Sequence, residues 1–250
     1  MSIFSNKNRI SSKEILFYKN LYLGKRCFIL GNGPSLNIDD INLLRWEYTF
    51  VSNKFYYCFD KINYTPSFYA VEDFLVIKQH HKEIDSIIDI PCFIPLKFKK
   101  YFKQNQNKIF FNVDSVDKTK LLQNIDFPNF SYDCLNEINW GSSIVYTQIQ
   151  LAVYMGFKNI FLLGMDHDYK INSKPEQQLI YNNENNHFLS GYLKVGELWN
   201  NPQLPVLEKS FDKARQCTEN IGVNIINVSR KTKLQSFQRG VLEDILNVHS

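Results

Sequence analysis

Short apolar runs of strand length alternate along this chain with longer segments of helical periodicity, and this alternation limits the fold more than any other feature. Such alternation predicts an α/β fold in which helices cover a parallel sheet. Ligands of open sheets of this class bind outside the carboxyl ends of the strands, so a site is expected there. Strands are predicted at residues 26–30, 49–52, 67–71, 92–94, 109–112, 159–163 and 224–227, and helices at 12–21, 73–88, 142–155, 205–221 and 239–246.

The composition is that of an ordinary globular protein, and 250 residues can form one domain with a small lid. The net charge of +4 suits an anionic ligand but is too small to imply nucleic acid. Five scattered cysteines without a C-x-x-C pair argue for a reduced cytoplasmic protein and against a cysteine zinc site.

The first segment is too polar for a secretory signal, and no apolar run approaches the length of a membrane span. Phe17, Tyr18 and Tyr22, with nearby lysines, could let a cytoplasmic protein contact the inner face of a membrane. The simpler interpretation is a solvated first helix that packs on the domain.

Residues 169–201 are polar and rich in asparagine, with weak periodicity. A stretch of this length inside a compact domain is usually a functional loop, so we interpret it as a lid. Its apolar side chains, Phe188, Tyr192, Leu193 and Trp199, are expected to fold onto a core. The alternative is a disordered insertion.

A glycine-containing loop follows the first predicted strand and reads Gly31-Asn32-Gly33-Pro34-Ser35. Its glycines permit close backbone approach, and its N–H groups could converge on an anion. The pattern is neither G-x-G-x-x-G nor a Walker P-loop. A phosphate-binding loop and a plain strand-to-helix turn both remain open.

Polar residues also end the next two predicted strands. Asn53 could bind a base or ribose through its amide, although a capping role for Ser52 or Asn53 is an equal alternative. Glu72 and Asp73 end the following strand, where Asp73 either caps the next helix or contacts a ligand.

The most informative stretch runs from residue 139 to 169. Gly141, Ser142 and Ser143 open a helix, and such a start is a natural phosphate site. Gly156 ends that helix, and the next strand leads into a polar cluster.

That cluster is Asp166-His167-Asp168, and it has three interpretations: a D-x-D metal motif, a general-base group, or a structural cap of the loop. His187 lies in the proposed lid among polar neighbours, where it could close over the site.

Taken together, these motifs resemble a bacterial family described as 6-hydroxymethylpterin pyrophosphokinase-like, which is common in surface-polysaccharide gene sets. The resemblance covers roughly residues 22 to 246. The matching residues are Gly24 to Ile29, Gly31 to Leu36, Asn53, Asp73, Gly141 to Ser143, Leu151 to Ala152, Met155 to Phe157, Gly164 to His167, and His187 with Phe188.

The chain is also similar to bacterial lipooligosaccharide sialyltransferases, which use CMP-sialic acid on a Rossmann-like sheet with a small lid and need no metal or other cofactor. This resemblance implies that Asn32 and Asn53 contact the nucleotide and that Ser142 or Ser143 contacts its phosphate or cytidine. Lid tyrosines hold the leaving phosphate in that family, and Tyr169 and Tyr181 lie near the corresponding positions.

One departure concerns the base. The sialyltransferase lid reads His-aromatic-x-x-His, and its second histidine falls on Gly191 here. His187, with an ordinary imidazole pKa of about 6.5, is then the preferred base, and His167, Asp166 and Asp168 are the alternatives.

The sequence therefore predicts a Rossmann-like α/β domain that transfers an acidic, nonulosonic-type sugar from a CMP donor to a glycan or glycolipid acceptor, with inversion. A homo-oligomer is compatible with it. One alternative is a Mg²⁺-dependent diphosphokinase that acts on a pterin alcohol with ATP, with strand-end carboxylates as ligands. Another is a non-catalytic nucleotide-binding module.

Overall fold

A computed structural model of the chain describes residues 11–103, 105–114, 128–169, 178–181 and 186–247. Its centre is an eight-stranded sheet in which every neighbouring pair is parallel. The strands of this sheet are β1 (Arg26–Leu30), β2 (Tyr48–Ser52), β3 (Phe68–Ala70), β4 (Cys92–Pro95), β5 (Lys108–Phe111), β6 (Asn159–Leu163), β9 (Asn224–Asn227) and β10 (Gln238–Arg239). The predicted parallel α/β fold is confirmed.

Five α-helices lie among the described residues: α1 (Ile38–Leu43), α2 (Phe74–Ile87), α3 (Ile144–Tyr154), α4 (Leu204–Asn220) and α5 (Leu242–Asn247). A separate antiparallel pair joins β7 (Gln178–Ile180) to β8 (Leu198–Asn200). No helix in these described ranges is both long and apolar enough to cross a bilayer.

The strand order is β10-β9-β6-β1-β2-β3-β4-β5, so the chain reverses direction across the sheet between β1 and β6. The next helix after β1, α1, packs on one face of the sheet, whereas α4, the next helix after β6, packs on the other face. Such a switch point is the usual ligand site of a doubly wound sheet.

Both faces of the sheet are buried, which explains why its strands are apolar throughout rather than alternating. On β1, Cys27 and Ile29 pack on the face that α3 and α4 cover, whereas Phe28 and Leu30 pack on the face that α1 and α2 cover. The carboxyl ends are left free to form a site.

The first predicted helix differs from the observed structure. Residues Lys13–Tyr18 form a 3₁₀-helix rather than an α-helix, and the N–H of the preceding Ser12 donates to the Phe110 carbonyl of β5 at 2.7 Å. Tyr18 is buried against Phe93, and Tyr22 stacks on Phe157. Of the residues named for membrane contact, Tyr18 thus belongs to the core and Tyr22 packs against it, whereas Phe17 is exposed.

The other differences are short elements. Helix α1 was not predicted, because six residues are too few to display helical periodicity; Asn37 caps it by accepting from the Asp40 N–H at 2.8 Å. The helix predicted from residue 239 begins at Leu242, because Gln238 and Arg239 pair with β9.

Candidate functional site

A cleft of about 510 Å³ opens at the carboxyl edge of the sheet, across the ends of β1 to β6. Most of the predicted site residues line it, whereas Ser35, Gly141 and Tyr181 do not. The predicted residues in its wall are Gly31, Asn32, Gly33, Asn53, Asp73, Ser142, Ser143, Asp166, His167, Asp168, Tyr169 and His187.

The glycine loop packs directly on the loop that follows β6. A Cβ on Gly31 would overlap the Gly164 carbonyl oxygen, and a Cβ on Gly33 would overlap the Asp166 carboxylate. The N–H of Ser35 donates to both Asp166 oxygens at 3.1 Å, and its hydroxyl donates at 2.9 Å. Asp166 therefore anchors the glycine loop through Ser35, which does not itself line the cleft.

Two asparagine amides in the cleft lack a full set of partners. The Oδ1 atoms of Asn32 and Asn53 are buried and accept no hydrogen bond from the described residues. A buried acceptor without a donor costs about 1–3 kcal/mol, so these atoms are suited to accept from a ligand.

Backbone strain is concentrated around the same space. Asn53, Ser142 and His167 have φ values of +53°, +61° and +50°, in the left-handed region that residues other than glycine rarely adopt. Such conformations persist where the surrounding structure enforces them, and they cluster at ligand sites.

The start of α3 also faces the cleft. Ser143 caps the helix, because its Oγ accepts from the Val145 N–H at 3.2 Å. Gly141 lies behind this start, packed against the Tyr146 ring, and its carbonyl accepts from the Ser210 hydroxyl at 2.7 Å. Ser142 and Ser143 thus line the cleft at a positive helix end, and Gly141 supports them.

Two carboxyl groups at the ends of β3 and β5 have raised pKa values. Burial raises the pKa of Glu72 to about 7, although the Thr147 hydroxyl donates to it at 2.6 Å and acts in the opposite direction. Burial also raises the pKa of Asp114, which accepts from the Trp140 N–H and the Asn139 amide. Glu72 therefore changes charge near neutral pH.

The described part of the proposed lid packs over the cleft. His187 stacks on Tyr192 with ring centroids 4.0 Å apart, and the Tyr192 hydroxyl accepts from the Lys54 N–H at 3.3 Å. Phe188 donates its N–H to the Asn32 carbonyl and contacts Phe55. The expected folding of apolar side chains onto a core is confirmed for Phe188, Tyr192 and Leu193, whereas Trp199 is half-buried in the cleft wall.

A buried polar network fastens this segment to the sheet. The Lys54 ammonium, almost completely buried, lies 2.6 Å from Glu197, which also contacts His80 at 3.0 Å. His80 in turn contacts Glu83, which accepts from the Tyr56 hydroxyl. Burial lowers the pKa of Lys54, and the Glu197 partner opposes that shift.

The lid histidine is a weaker base than its ordinary pKa suggests. Burial, together with the nearby Lys54 charge, lowers the pKa of His187 to about 4. His187 is therefore neutral at physiological pH but has little tendency to take a proton there.

The remaining predicted residues are already engaged. Asp73 caps α2 and also accepts from the Asn200 amide, as the capping alternative predicted. Asp168 pairs with Lys233 at 2.6 Å, and His167 lies 3.4 Å from Glu208. Tyr169 lines the cleft beside His167, whereas Tyr181 joins the β7–β8 pair and lies outside the wall.

These engagements bear on the metal site implied by a diphosphokinase. Within the described part of the chain, no group of three or more His, Cys, Asp or Glu side chains is arranged to hold a metal ion. Asp73 and Asp166 accept hydrogen bonds on both oxygens, and Asp168 pairs with Lys233 through one oxygen. Glu72, the fourth strand-end carboxyl, accepts one hydrogen bond, from Thr147. Among the described residues these four carboxyl groups do not form a ready Mg²⁺ cradle.

Sequence reasoning left out Lys54 and Lys97 and gave Glu72 no role in the preferred function. The signal that identifies them is positional. Each of the strands β1 to β4 is followed, two residues beyond its last residue, by a polar residue that lines the cleft. In strand order, these residues are Asn32, Lys54, Glu72 and Lys97.

The fold and this cleft define the class: an α/β protein of Rossmann-like architecture with a cleft at its topological switch point, where sheets of this kind usually bind ligands. Residues 2–172 match the family described as 6-hydroxymethylpterin diphosphokinase MptE-like. The chain belongs to this family. No curated protein matches the chain.

Proposed function

We propose that the chain transfers an acidic, nonulosonic-type sugar from a CMP-activated donor to a hydroxyl of a glycan acceptor, with inversion and without a metal. The observation that carries this proposal is the wall of the cleft around β1 and α3. It combines two unpaired amide oxygens with a positive helix end. These groups suit a nucleoside carrying one phosphate.

The unpaired oxygens define what the nucleoside must offer. Asn32 Oδ1 and Asn53 Oδ1 need hydrogen-bond donors, which the exocyclic amine of cytosine and the ribose hydroxyls supply. The phosphate would then lie at the start of α3, near Ser142 and Ser143.

The charge of the cleft favours a monophosphate over a triphosphate. Among the described residues, its wall contains two lysines, and Lys54 is already paired with Glu197. The carboxylates in the same wall are Glu72, Asp73, Asp114, Asp166 and Asp168. A triphosphate would meet net repulsion here unless metal ions screened it.

The reaction is a direct displacement. The acceptor oxygen forms a bond to the anomeric carbon as its proton passes to a base, and the bond between that carbon and the phosphate oxygen breaks. The electron pair of the broken bond leaves with CMP, whose phosphate the start of α3 stabilises.

A second candidate follows from the family. The family description names a 6-hydroxymethylpterin diphosphokinase, so transfer of diphosphate from ATP to a pterin alcohol must be considered. The engaged aspartates described above disfavour it, because that transfer requires Mg²⁺ between protein and phosphates.

A thermal melt separates the two candidates. CMP at a hundredfold excess over its Kd should stabilise the native chain by about 2.7 kcal/mol, with the same shift in EDTA. Stabilisation by ATP with Mg²⁺ but not by CMP would overturn the proposal in favour of the diphosphokinase. CMP binding without turnover of any CMP-sugar would leave only the nucleotide-binding module.

A further inference from the structure

We propose that Glu72 is the base that takes the proton from the attacking hydroxyl, an assignment that rests on the proposed transfer reaction. Glu72 lies two residues beyond β3 and lines the cleft. Its Oε2 accepts from Thr147, which stands in the second turn of α3, the helix whose start is the proposed phosphate site. The base and the leaving group would thus be held by the same helix.

The other candidates in the cleft are less free to take a proton. Both Asp166 oxygens accept from Ser35, and Asp168 is paired with Lys233. His187 is stacked on Tyr192, in a position whose burial disfavours the protonated ring.

Glu72 differs from these groups in its contacts. Among the described residues its carboxylate accepts one hydrogen bond, from Thr147, and Oε1 accepts none. A carboxylate oxygen that lines a cleft without a protein donor can accept one from a bound hydroxyl.

The surroundings of Glu72 support the role. The charged groups that act on it are Asp73 on its own loop, Lys97 after β4 and Asp114 after β5. Burial is the main cause of the raised pKa of Glu72, and Asp73 and Asp114 add to it, whereas the Thr147 hydroxyl and Lys97 lower the pKa. The result is a pKa of about 7, close to the value that general-base catalysis at neutral pH requires.

The transferred proton has a defined path. It moves from the acceptor hydroxyl to Glu72 as the oxygen bonds to the anomeric carbon, and CMP leaves with the electron pair of the broken bond. Glu72 then releases the proton to solvent before the next turnover. With water as the acceptor, the same step hydrolyses the donor.

The test uses that hydrolysis in the full chain, with CMP-N-acetylneuraminate as the probe and CMP release as the readout. Glu72→Gln keeps an oxygen that can accept from Thr147, so the fold should persist. We expect turnover to fall by about 10²-fold or more while the Kd for CMP changes less than threefold. Glu219→Gln, an exposed carboxyl on α4, is the matched control and should retain full turnover.

Thr147→Val separates a base from a structural bridge. Loss of its hydroxyl removes a contact that lowers the pKa of Glu72, so the acidic limb of the pH–rate profile should move to higher pH. If the hydrogen bond between Glu72 and Thr147 had only a structural role, both variants would have a lower melting temperature and the acidic limb of the pH–rate profile would not move. That result would overturn the assignment.

Failure of the two proposals can be told apart. If wild type releases CMP and Glu72→Gln releases it equally fast, Glu72 is not the base, although the transfer reaction stands. If wild type binds CMP but releases none from the probe, with water or with added sugar hydroxyls, the proposed transfer falls and the assignment falls with it.

Discussion

Around the ends of β1 and β6 the cleft wall is fixed by contacts between two loops, whereas around the ends of β3 and β5 it carries charged groups with raised pKa values. In the first region, the β1–β6 wall, Gly31 and Gly33 touch the β6 loop and Asp166 holds Ser35. In the second, the β3–β5 wall, Glu72 and Asp114 are kept partly desolvated.

The difference separates two tasks that a transferase must perform. Preformed backbone contacts suit the recognition of a nucleotide, because a rigid site loses little entropy on binding. A carboxyl group that titrates near neutral pH suits proton transfer. Under the proposed function, the β1–β6 wall binds the donor and the β3–β5 wall acts on the acceptor.

The largest effect is expected from a substitution that disrupts the loop contacts of the β1–β6 wall. In Gly33→Ala the new methyl group would overlap the Asp166 carboxylate and lie 2.7 Å from the Gly164 carbonyl oxygen. We expect a loss of about 1–3 kcal/mol in stability, seen as a lower Tm, together with loss of detectable CMP binding.

Gly196→Ala is the control for that variant, because nothing lies within 4 Å of its new methyl group. Its positive φ of +88° alone should cost about 1 kcal/mol and leave CMP binding intact. Equal Tm values for the two variants would show that the packing of the two loops is not tight.

The next effect concerns nucleotide recognition by Asn32, in the β1–β6 wall, and by Asn53, at the end of β2. Asn32→Ala and Asn53→Gly should each weaken CMP binding about tenfold or more by calorimetry, because each removes an amide that would accept from the nucleoside. Glycine is chosen at position 53 because it tolerates the left-handed backbone there.

Asn220→Ala, on the exposed end of α4, is the matched control and should bind CMP as wild type does. Unchanged affinity in both Asn32→Ala and Asn53→Gly would place the nucleoside elsewhere.

These residues also show which features of the fold and the site can be predicted from the sequence and which cannot. Strand-length apolar runs identified seven of the eight strands of the central sheet, because a sheet buried on both faces leaves an uninterrupted apolar signal. The role of Asp166 was open between metal ligand, base and cap. Its partner, Ser35, lies far away in the chain, and the contact arises only because β1 and β6 are neighbours in the sheet.

The pKa shifts are still harder to predict from the sequence. His187 and Glu72 both lie in polar, aromatic-containing stretches of the sequence, yet burial lowers the pKa of the first and raises that of the second. Desolvation disfavours whichever form is charged, and its size depends on packing from several distant segments.

A smaller effect tests the β3–β5 wall through stability rather than turnover. The pKa of Glu72 is about 7 in the folded chain, above the ordinary value of 4.5. The stability it contributes is therefore fully present below pH 4.5 and is lost as pH rises through 7. The Tm of Glu72→Gln relative to wild type should be higher at pH 8 than at pH 4.5.

Glu219→Gln again serves as the control, since this exposed side chain should show a smaller change between the two pH values. A Tm difference for Glu72→Gln that is the same at both pH values would mean that Glu72 is not desolvated in the folded chain.

The smallest effect on turnover is expected at His187, in the segment proposed as a lid. Its pKa of about 4 lies below the ordinary 6.5, so the folded chain loses stability as pH falls from 6.5 towards 4. His187→Gln should lessen that acid sensitivity, measured as Tm at pH 7 and pH 5. Because a group with so low a pKa is a poor proton acceptor at pH 7, CMP release there should fall by less than tenfold. If CMP release fell by a hundredfold or more while CMP affinity stayed unchanged, His187 would be the base. Glu72 would then have only a structural role, through its contact with α3.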